Sequence, residues 1–209
     1  MRGQTFEMRV CKSCGLRYPL VTGQAQGTRC PSCMGETRIV LTHDLVFEKP
    51  PDPSSSGRGR SAVLLDNIRS AWNVGSILRS AEGFGFMHAY LCGITPTPEN
   101  DAVQKTSLGA EDSVPWSYHK DAVKLVKGLK VEGWKIYGLE ENEKSSSIHG
   151  MKKTKTDTVL IVGNEVTGVD PELLNLCEKI FFIPMRGEKK SFNAAVAFGI
   201  AAYALSASR

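Results

Sequence analysis

From residue 61 onward, short apolar runs alternate with helical patterns, and this alternation restricts the fold more than any other feature. The runs are rich in β-branched residues, so we predict that they form buried strands. They cover residues 62–65, 88–92, 134–139, 158–162 and 180–183. Strand-helix alternation of this kind predicts an α/β fold, in which a mostly parallel sheet carries helices on both faces.

Helical patterns lie between these runs at residues 73–83, 99–108, 121–132 and 171–176, and a final helix is predicted at 191–206. The segment 194–205 of that final helix is apolar on every face, which indicates a helix buried all round. A second subunit covering one of its faces would explain this, so we predict a homodimer. The alternative is a central core helix of a monomer.

Polar, glycine-rich turns follow three of the predicted strands. Asn73 in the first turn is predicted to cap the next helix, and Gly75 to allow close backbone approach. Glu165 lies in the middle of the second turn, where it can accept backbone hydrogen bonds or face a ligand, and Asp170 is predicted to cap the helix that begins at Pro171. Asn193 in the third segment falls inside the predicted final helix, where a buried amide needs partners. Open α/β sheets bind ligands at the carboxyl ends of their strands, so three such turns indicate one composite site.

Four of the six cysteines form two Cys-x-x-Cys pairs, Cys11 with Cys14 and Cys30 with Cys33. Two such pairs about fifteen residues apart are typical of a zinc site. Four thiolates leave a tetrahedral Zn²⁺ with no open position, so we predict a structural role. The alternative is a redox dithiol, although that motif favours a single pair at the start of a helix.

These patterns divide the chain into three parts. Residues 1–47 are predicted to form a zinc-ribbon-like module, residues 48–60 a linker of Pro, Ser, Gly and Arg, and residues 61–209 the α/β domain. The module contains several basic residues that could dock RNA through its phosphates, or that could simply form a solvated surface. They are Arg9, Lys12, Arg17, Arg29 and Arg38.

A net charge of +4 permits a nucleic-acid partner without requiring one. The first residues contain no apolar stretch, which argues against a secretory signal. The longest apolar stretch is about a dozen residues, short of the roughly 20 needed to span a bilayer. We therefore expect a cytoplasmic protein with no membrane partner.

The three polar segments together resemble the three motifs of the SpoU-class RNA 2′-O-methyltransferases of the SPOUT superfamily, and the resemblance covers about residues 61–206. In order, the matching positions are Asn73-x-Gly75-x-x-x-Arg79, Gly163-x-Glu165-x-x-Gly168 and Ile183-Pro184-Met185-x-Gly187-x-x-x-Ser191-x-Asn193. The resemblance implies methyl transfer from S-adenosyl-L-methionine (AdoMet) to a ribose 2′-hydroxyl of tRNA or rRNA. It also implies a C-terminal trefoil knot and a homodimer with the active site at its interface. An N-terminal zinc module is not the commonest extension in this class, so the substrate stays open.

Residue roles follow from the resemblance at matching positions only. The catalytic positions it implies are Asn73, Arg79, Glu165, Ser191 and Asn193. The positions it implies for AdoMet binding are Gly163, Asn164, Glu165, Gly168, Ile183, Met185 and Ser191. A free guanidinium stays protonated at neutral pH and is a very poor base. Arg79 is therefore either a general base with a strongly depressed pKa or a group that binds RNA phosphate while phosphate or water takes the proton.

Other protein classes fit the sequence less well. Neither the dinucleotide-binding Gly-x-Gly-x-x-Gly pattern after the first predicted strand nor a P-loop is present. A non-catalytic RNA-binding protein that keeps the fold and the AdoMet pocket is the remaining alternative. The intact motif residues argue against it.

Overall fold

The computed structural model describes residues 4–24, 27–45, 59–152 and 155–207. The chain divides into two compact units, Met1–Asp52 and Pro53–Arg209. Positions 48–58 of the predicted linker lie outside the described residues.

The first unit contains a three-stranded antiparallel sheet. Its strands are β1 (Gln4–Cys11), β2 (Arg17–Val21) and β3 (Thr37–Leu45), in the order β2-β1-β3. The pairing of β1 with β3 shifts register between Met8 and Arg9. Cys11 and Cys30 are almost fully buried, as is Leu20, so the core of this unit is small.

The second unit is built on a seven-stranded sheet. Its strands are β4 (Ser61–Asp66), β5 (His88–Cys92), β6 (Trp116–His119), β7 (Lys135–Leu139), β8 (Ser146–Ser147), β9 (Thr158–Val162) and β10 (Lys179–Phe182). Their order is β6-β5-β4-β9-β7-β10-β8, and each of these neighbouring pairs is parallel. The predicted fold class is confirmed.

Six helices accompany the strands in the described part of this unit. They are α1 (Ala71–Gly83), α2 (Asp101–Ser107), α3 (Ala110–Ser113), α4 (Ala122–Val131), α5 (Pro171–Leu176) and α6 (Ala194–Ala207). Ile148–Gly150 adds one short 3₁₀ turn.

The alternation of side chains along β4 divides the core between the two faces of the sheet. Val63 and Leu65 belong to the cluster formed with α1 and α6. Ala62 and Leu64 belong to the cluster formed with α4 and α5. All four residues are fully buried, because helices cover both faces of this central strand.

The five predicted strands and five predicted helices are present, with ends shifted by up to three residues. Among the strands and α-helices of the second unit, three were not predicted: β6, α3 and β8. In the polar segment 143–147, Ser146 and Ser147 pair with β10. The final helix begins at Ala194 rather than at residue 191.

Two predictions about helix ends are wrong and one is confirmed. The residue that caps α1 is Ser70, whose side chain accepts a hydrogen bond from the backbone N–H of Asn73. Asn193 precedes α6 instead of lying inside it, and its Oδ1 accepts the N–H of Ala195 at 2.9 Å. Asp170 caps α5 as predicted, by accepting the N–H of Glu172.

Helix α6 is buried on one side only in this single chain. Phe198, Ala201 and Ala202 are fully buried, whereas Val196 is 51% exposed and Tyr203 is 63% exposed. One copy of the chain therefore covers only one side of α6, and the homodimer that would cover the other side stays a prediction. So does the trefoil knot. In the part of the chain that the structure describes, no helix combines the length and apolar character needed to cross a membrane.

Candidate functional site

The three polar turns lie at one edge of the parallel sheet. They follow β4, β9 and β10, and the order β4-β9-β7-β10 brings the carboxyl ends of these strands close together. Residues far apart in sequence can therefore meet at this edge, as the rule for open α/β sheets predicts.

Hydrogen bonds from polar side chains join the first turn to the second. Asp66 is 2% exposed, and its Oδ2 accepts the backbone N–H of Asp170 at 2.9 Å. Its Oδ1 accepts the side-chain amide of Asn67 at 2.8 Å. The amide of Asn164 in turn donates to the carbonyl oxygen of Asn67 at 2.6 Å. The two turns are thus held at a fixed separation.

Glu165 forms the centre of this arrangement. Its Oε2 accepts the backbone N–H of Arg69 at 2.9 Å, and its Oε1 accepts the backbone N–H of Ser70 at 3.1 Å. The side-chain amide of Asn73 donates to Oε1 at 2.8 Å. The backbone N–H groups of Arg69 and Ser70 directly precede α1, so the carboxylate also lies where a helix N-terminus favours negative charge.

The third segment joins the other two through Asn193. Its Nδ2 donates to Oδ1 of Asn73 at 3.0 Å, while its Oδ1 caps α6. Asn73 is 9% exposed, so its amide is held between Glu165 and Asn193 with both polar atoms engaged. One hydrogen-bonded chain therefore runs through all three turns.

The two acids at this edge differ in protonation behaviour. Partial burial opposes ionisation of Glu165, but its hydrogen bonds from Arg69, Asn73 and Ser70 together lower its pKa. Deeper burial raises the pKa of Asp66, although Asp170 and Asn67 donate hydrogen bonds to it. Three donors that all favour the charged form make Glu165 a stable carboxylate and a weak base.

A cleft of about 480 Å³ opens beside the second and third turns. Its floor includes the ends of β7, β9 and β10, and Glu140, Glu141 and Lys190 bring charged groups to its lining. Eight of the predicted site residues line it: Gly163, Asn164, Glu165, Gly168, Ile183, Met185, Ser191 and Asn193.

Arg79 lies away from this cleft. It is exposed on α1, six positions after Asn73, which corresponds to about 9 Å along a helix. Its side chain makes no hydrogen bond or ion pair with the residues that the structure describes. The arginine is therefore available to an external anion.

Glycines at two positions allow backbone segments to approach closely. A Cβ added at Gly75 would lie 2.3 Å from the carbonyl oxygen of Val103, so α1 and α2 could not pack as they do. A Cβ at Gly163 would lie 2.2 Å from the backbone nitrogen of Val169, inside the second turn. The expectation for Gly75 is confirmed.

Glu140 was missed as a site residue. Its Oε2 accepts the N–H of Val169 at 3.0 Å, so it supports the second turn from the neighbouring strand. It directly follows β7, and the rule that identified the other three turns could have found it. Asp66, the last residue of β4, is likewise a polar residue at the carboxyl end of a strand.

The four paired cysteines of the first unit come together in space. The Sγ atoms of Cys11, Cys14, Cys30 and Cys33 all lie within 4.8 Å of one another. Cys11 and Cys33 are 3.5 Å apart, and Cys14 and Cys30 are 3.6 Å apart. The backbone N–H of Cys14 donates to Cys11 Sγ, and this bond is the main cause that lowers the pKa of the Cys11 thiol to about 6. This cluster could hold a metal ion.

The remaining two cysteines are separate from this cluster. Burial raises the pKa of the Cys92 and Cys177 thiols to about 12. Cys92 is fully buried, whereas Cys177 is only partly buried. Both behave as packing residues.

Comparison with known proteins agrees with this geometry. The SpoU rRNA methylase family matches residues 60–203. A 23S rRNA (guanosine-2′-O-)-methyltransferase of Xanthomonas axonopodis is 31% identical over 143 residues, which are 68% of this chain and 57% of the relative. A tRNA (guanosine(18)-2′-O)-methyltransferase of Thermus thermophilus is 30% identical over 138 residues, 66% of this chain and 70% of the relative.

A solved structure shares the fold. The AdoMet-bound rRNA methyltransferase of Sinorhizobium meliloti superimposes with a TM-score of 0.66 at 24% identity, covering 70% of this chain and 56% of that one. The chain belongs to the SpoU rRNA methylase family, and the resemblance seen in its motifs is confirmed. It spans less than two thirds of the length of the Xanthomonas relative.

Proposed function

We propose that this protein transfers the methyl group of AdoMet to a ribose 2′-hydroxyl of RNA. The observation that carries the proposal is the hydrogen-bonded chain from Glu165 through Asn73 to Asn193, at the edge of the cleft. Membership of the SpoU family and the activities of the relatives, which modify rRNA or tRNA guanosine at the 2′-oxygen, support it. Both RNA classes are candidate substrates.

The cleft is the site proposed for the methyl donor. Its lining contains three carboxylates, those of Glu140, Glu141 and Glu165, and one ammonium, that of Lys190, and this excess of negative charge suits a donor whose sulfonium is cationic. The backbone near Gly163, Ile183 and Met185 would enclose the donor. In the reaction the ribose oxygen forms a bond to the methyl carbon as the sulfur–methyl bond breaks, the sulfonium becomes a neutral thioether, and the hydroxyl loses its proton.

Glu165, Asn73 and Asn193 are proposed as positioning residues. The three donors that hold Glu165 as a carboxylate also fix the start of α1, and Asn73 transmits that constraint to the third turn. A fixed geometry of this kind aligns the nucleophile with the methyl group. Such alignment supplies much of the rate enhancement in a displacement between two substrates. Ser191 lines the cleft beside Asn193 and is proposed to contact donor or ribose.

Arg79 is proposed to bind an RNA phosphate and so orient the ribose. Its exposure and its lack of a partner among the described residues suit this role. The proton then passes to a phosphate oxygen or to water, because a guanidinium is a very poor base. Arg79→Lys tests the assignment, since it keeps the charge and loses the planar fork; near-normal turnover would rule out a guanidinium-specific role.

The cysteine cluster is proposed to hold a structural Zn²⁺. Four thiolates around a tetrahedral zinc, with Zn–S bonds of about 2.3 Å, lie about 3.8 Å apart. The separations of 3.5 and 3.6 Å between the two cross-paired sulfurs fit this geometry. The metal would contribute folding energy to a unit with a small core.

The proposed division of the chain is a zinc module at residues 1–47, a linker at 48–60 and a methyltransferase domain at 61–209. A homodimer that covers the exposed side of α6 is also proposed, since Val196 and Tyr203 leave apolar surface there.

The deciding experiment is transfer of labelled methyl from AdoMet to bulk tRNA and rRNA taken from cells that lack this protein. Label that depends on Arg79 and survives alkali as a resistant dinucleotide is the expected result, because 2′-O-methylation blocks cleavage at that position. Arg79→Ala is the control. AdoMet binding without transfer to any RNA, including assembling ribosomal particles, would favour the non-catalytic RNA-binding protein.

A further inference from the structure

The three-stranded sheet of the first unit has one face whose side chains stay accessible. Phe6, Met8 and Val10 of β1 point to this face, and the register gives each a neighbour on both sides. Taken from Val10 to Phe6, the flanking pairs are Arg17 with Arg38, Pro19 with Leu41, and Val21 with His43. We call these three rows the open face. None of its nine residues is buried.

The opposite face of the same sheet is covered in its central part. Cys11 is 2% exposed and Leu20 is 8% exposed on that side. The hydroxyl of Tyr18 donates to the carbonyl oxygen of Gly27, which fastens the segment between β2 and β3 over it. The two faces thus differ in role: one builds the core around the cysteines, and the other is available to a partner.

Charge is segregated between the two faces. The open face carries the guanidinium groups of Arg17 and Arg38 and no carboxylate. The carboxylates of the strands, those of Glu7 and the exposed Asp44, belong to the opposite face, where Glu7 pairs with Arg9 at 2.8 Å. Neither Arg17 nor Arg38 forms an ion pair with a residue that the structure describes. Positive charge on the open face is therefore uncompensated.

The positions of these groups suit an extended polyanion with exposed rings. Arg17 and Arg38 flank Val10, two strand spacings apart, or about 10 Å. At the other end of the face the rings of Phe6 and His43 lie 5.9 Å apart. Single-stranded nucleic acids are held by this combination, in which cations contact phosphates and aromatic rings stack on unpaired bases.

We infer that the open face binds a single-stranded segment of RNA, with Arg17 and Arg38 on phosphates and Phe6 or His43 on a base. This inference rests on the proposed function, which makes RNA the substrate. Duplex RNA keeps its bases stacked and would not offer them to these rings. The first unit thereby selects substrates with an unpaired region.

The test uses the full-length protein and a fluorescent single-stranded RNA, with binding measured by anisotropy at several salt concentrations. The double variant Arg17→Ala/Arg38→Ala is expected to raise Kd by at least ten-fold. It is also expected to reduce the slope of log K against log salt by about 1.4, because each lost phosphate contact on a single strand removes about 0.7. Lys12→Ala/Arg29→Ala removes the same charge from the same unit outside the open face, and it is expected to change both quantities much less.

A second variant separates stacking from charge. Phe6→Leu keeps an apolar side chain and is expected to raise Kd, whereas Phe6→Tyr is expected to restore it. Metal content and circular dichroism of each variant report whether the unit has kept its fold.

Equal losses in the open-face and control variants, or equal affinity for single-stranded and duplex RNA, would overturn the inference. An open-face variant that keeps its RNA Kd but loses a co-purifying protein would also overturn it, because the open face would then bind protein. Because these readouts are affinities, they stay informative if no methyl transfer is found. Failure of the proposed function and failure of the inference are thus distinguishable.

Discussion

Nδ2 of Asn193 donates to Oδ1 of Asn73 at 3.0 Å across a sequence separation of 120 residues. A side-chain amide can donate and accept at once, and Asn73 uses both functions, since its own Nδ2 donates to Glu165. An asparagine at this position therefore gives the chain of hydrogen bonds its direction. An aspartate has the same size but no side-chain N–H, so it could not donate to Glu165.

Asn73→Asp is expected to reduce kcat of methyl transfer by about 100-fold or more, the scale of a misplaced reacting group. The variant carboxylate would face the carboxylate of Glu165, and the two would repel. Steady-state kinetics with saturating RNA measure the effect. Asn175→Asp, at an exposed position of α5, introduces the same charge elsewhere and should leave kcat nearly unchanged. Equal effects of the two variants would contradict the role of Asn73.

Gly75→Ala is expected to lower the free energy of unfolding by about 2–3 kcal/mol, the cost of overpacking a tight contact. The added Cβ would meet Thr106 Oγ1 at 2.0 Å and the carbonyl oxygen of Val103 at 2.3 Å. Gly83→Ala lies on the same helix with nothing within 4 Å of the added Cβ, and it should stabilise by up to about 1 kcal/mol. Urea denaturation compares the pair. Similar stabilities of the two variants would show that the contact between α1 and α2 tolerates a methyl group.

Glu165→Gln should change how stability depends on pH. The folded-state pKa of Glu165 is lowered, so its contribution is fully present above the ordinary glutamate pKa of about 4.3 and is lost as pH falls through the folded-state pKa. The difference in unfolding free energy between native protein and variant should therefore be larger at pH 7 than near pH 3. Denaturation at several pH values measures it, with Glu82→Gln at the other end of α1 as control. A difference that stays constant with pH would contradict the assignment.

The purified protein is expected to contain one zinc ion per chain, measured by mass spectrometry of the metal. Cys14→Ser should abolish that content and unfold the first unit, while the larger unit keeps its own core. Cys177→Ser is the matched control, because Cys177 Sγ donates to the carbonyl oxygen of Leu173 and serine can do the same. Full zinc content in Cys14→Ser would exclude a four-cysteine site.

Val196→Glu is expected to raise the Kd of the proposed dimer by about 100-fold or more, since an unpaired charge would be buried at the interface. Val131→Glu on α4 places the same charge at a position that is 89% exposed, and it should leave the dimer intact. Sedimentation velocity compares the two. A dimer that is unaffected by Val196→Glu would place the interface elsewhere or leave α6 facing solvent.

The sequence predicts the interior of this fold better than its margins. Strands such as β4 and β9 are buried at every position, so their apolar runs are unmistakable. Strand β6 lies at the edge of the sheet and contains Ser117 and His119, which break the apolar pattern. Strand β8 has two residues, too few to give any periodicity.

The site residues were located by motif, but their contacts were not. Ser70 and Asn73 are both good helix caps, and local sequence does not choose between them. Asn73 instead donates its side-chain amide to Glu165, which lies 92 residues away in the sequence. Local sequence also does not show that Asn193 lies before its helix, because its side-chain partner, Asn73, comes from the other end of the domain.

The strand order also has a consequence for synthesis on the ribosome. Strand β4 has six buried residues, and one of its neighbours, β5, follows it closely in the chain. Its other neighbour, β9, begins only at Thr158. Roughly 100 residues must be translated in between, which takes about 5–20 s at 5–20 residues per second. During that interval the nascent chain carries an apolar strand with one unpaired edge, so its yield in cells should depend on the chaperones that shield such edges.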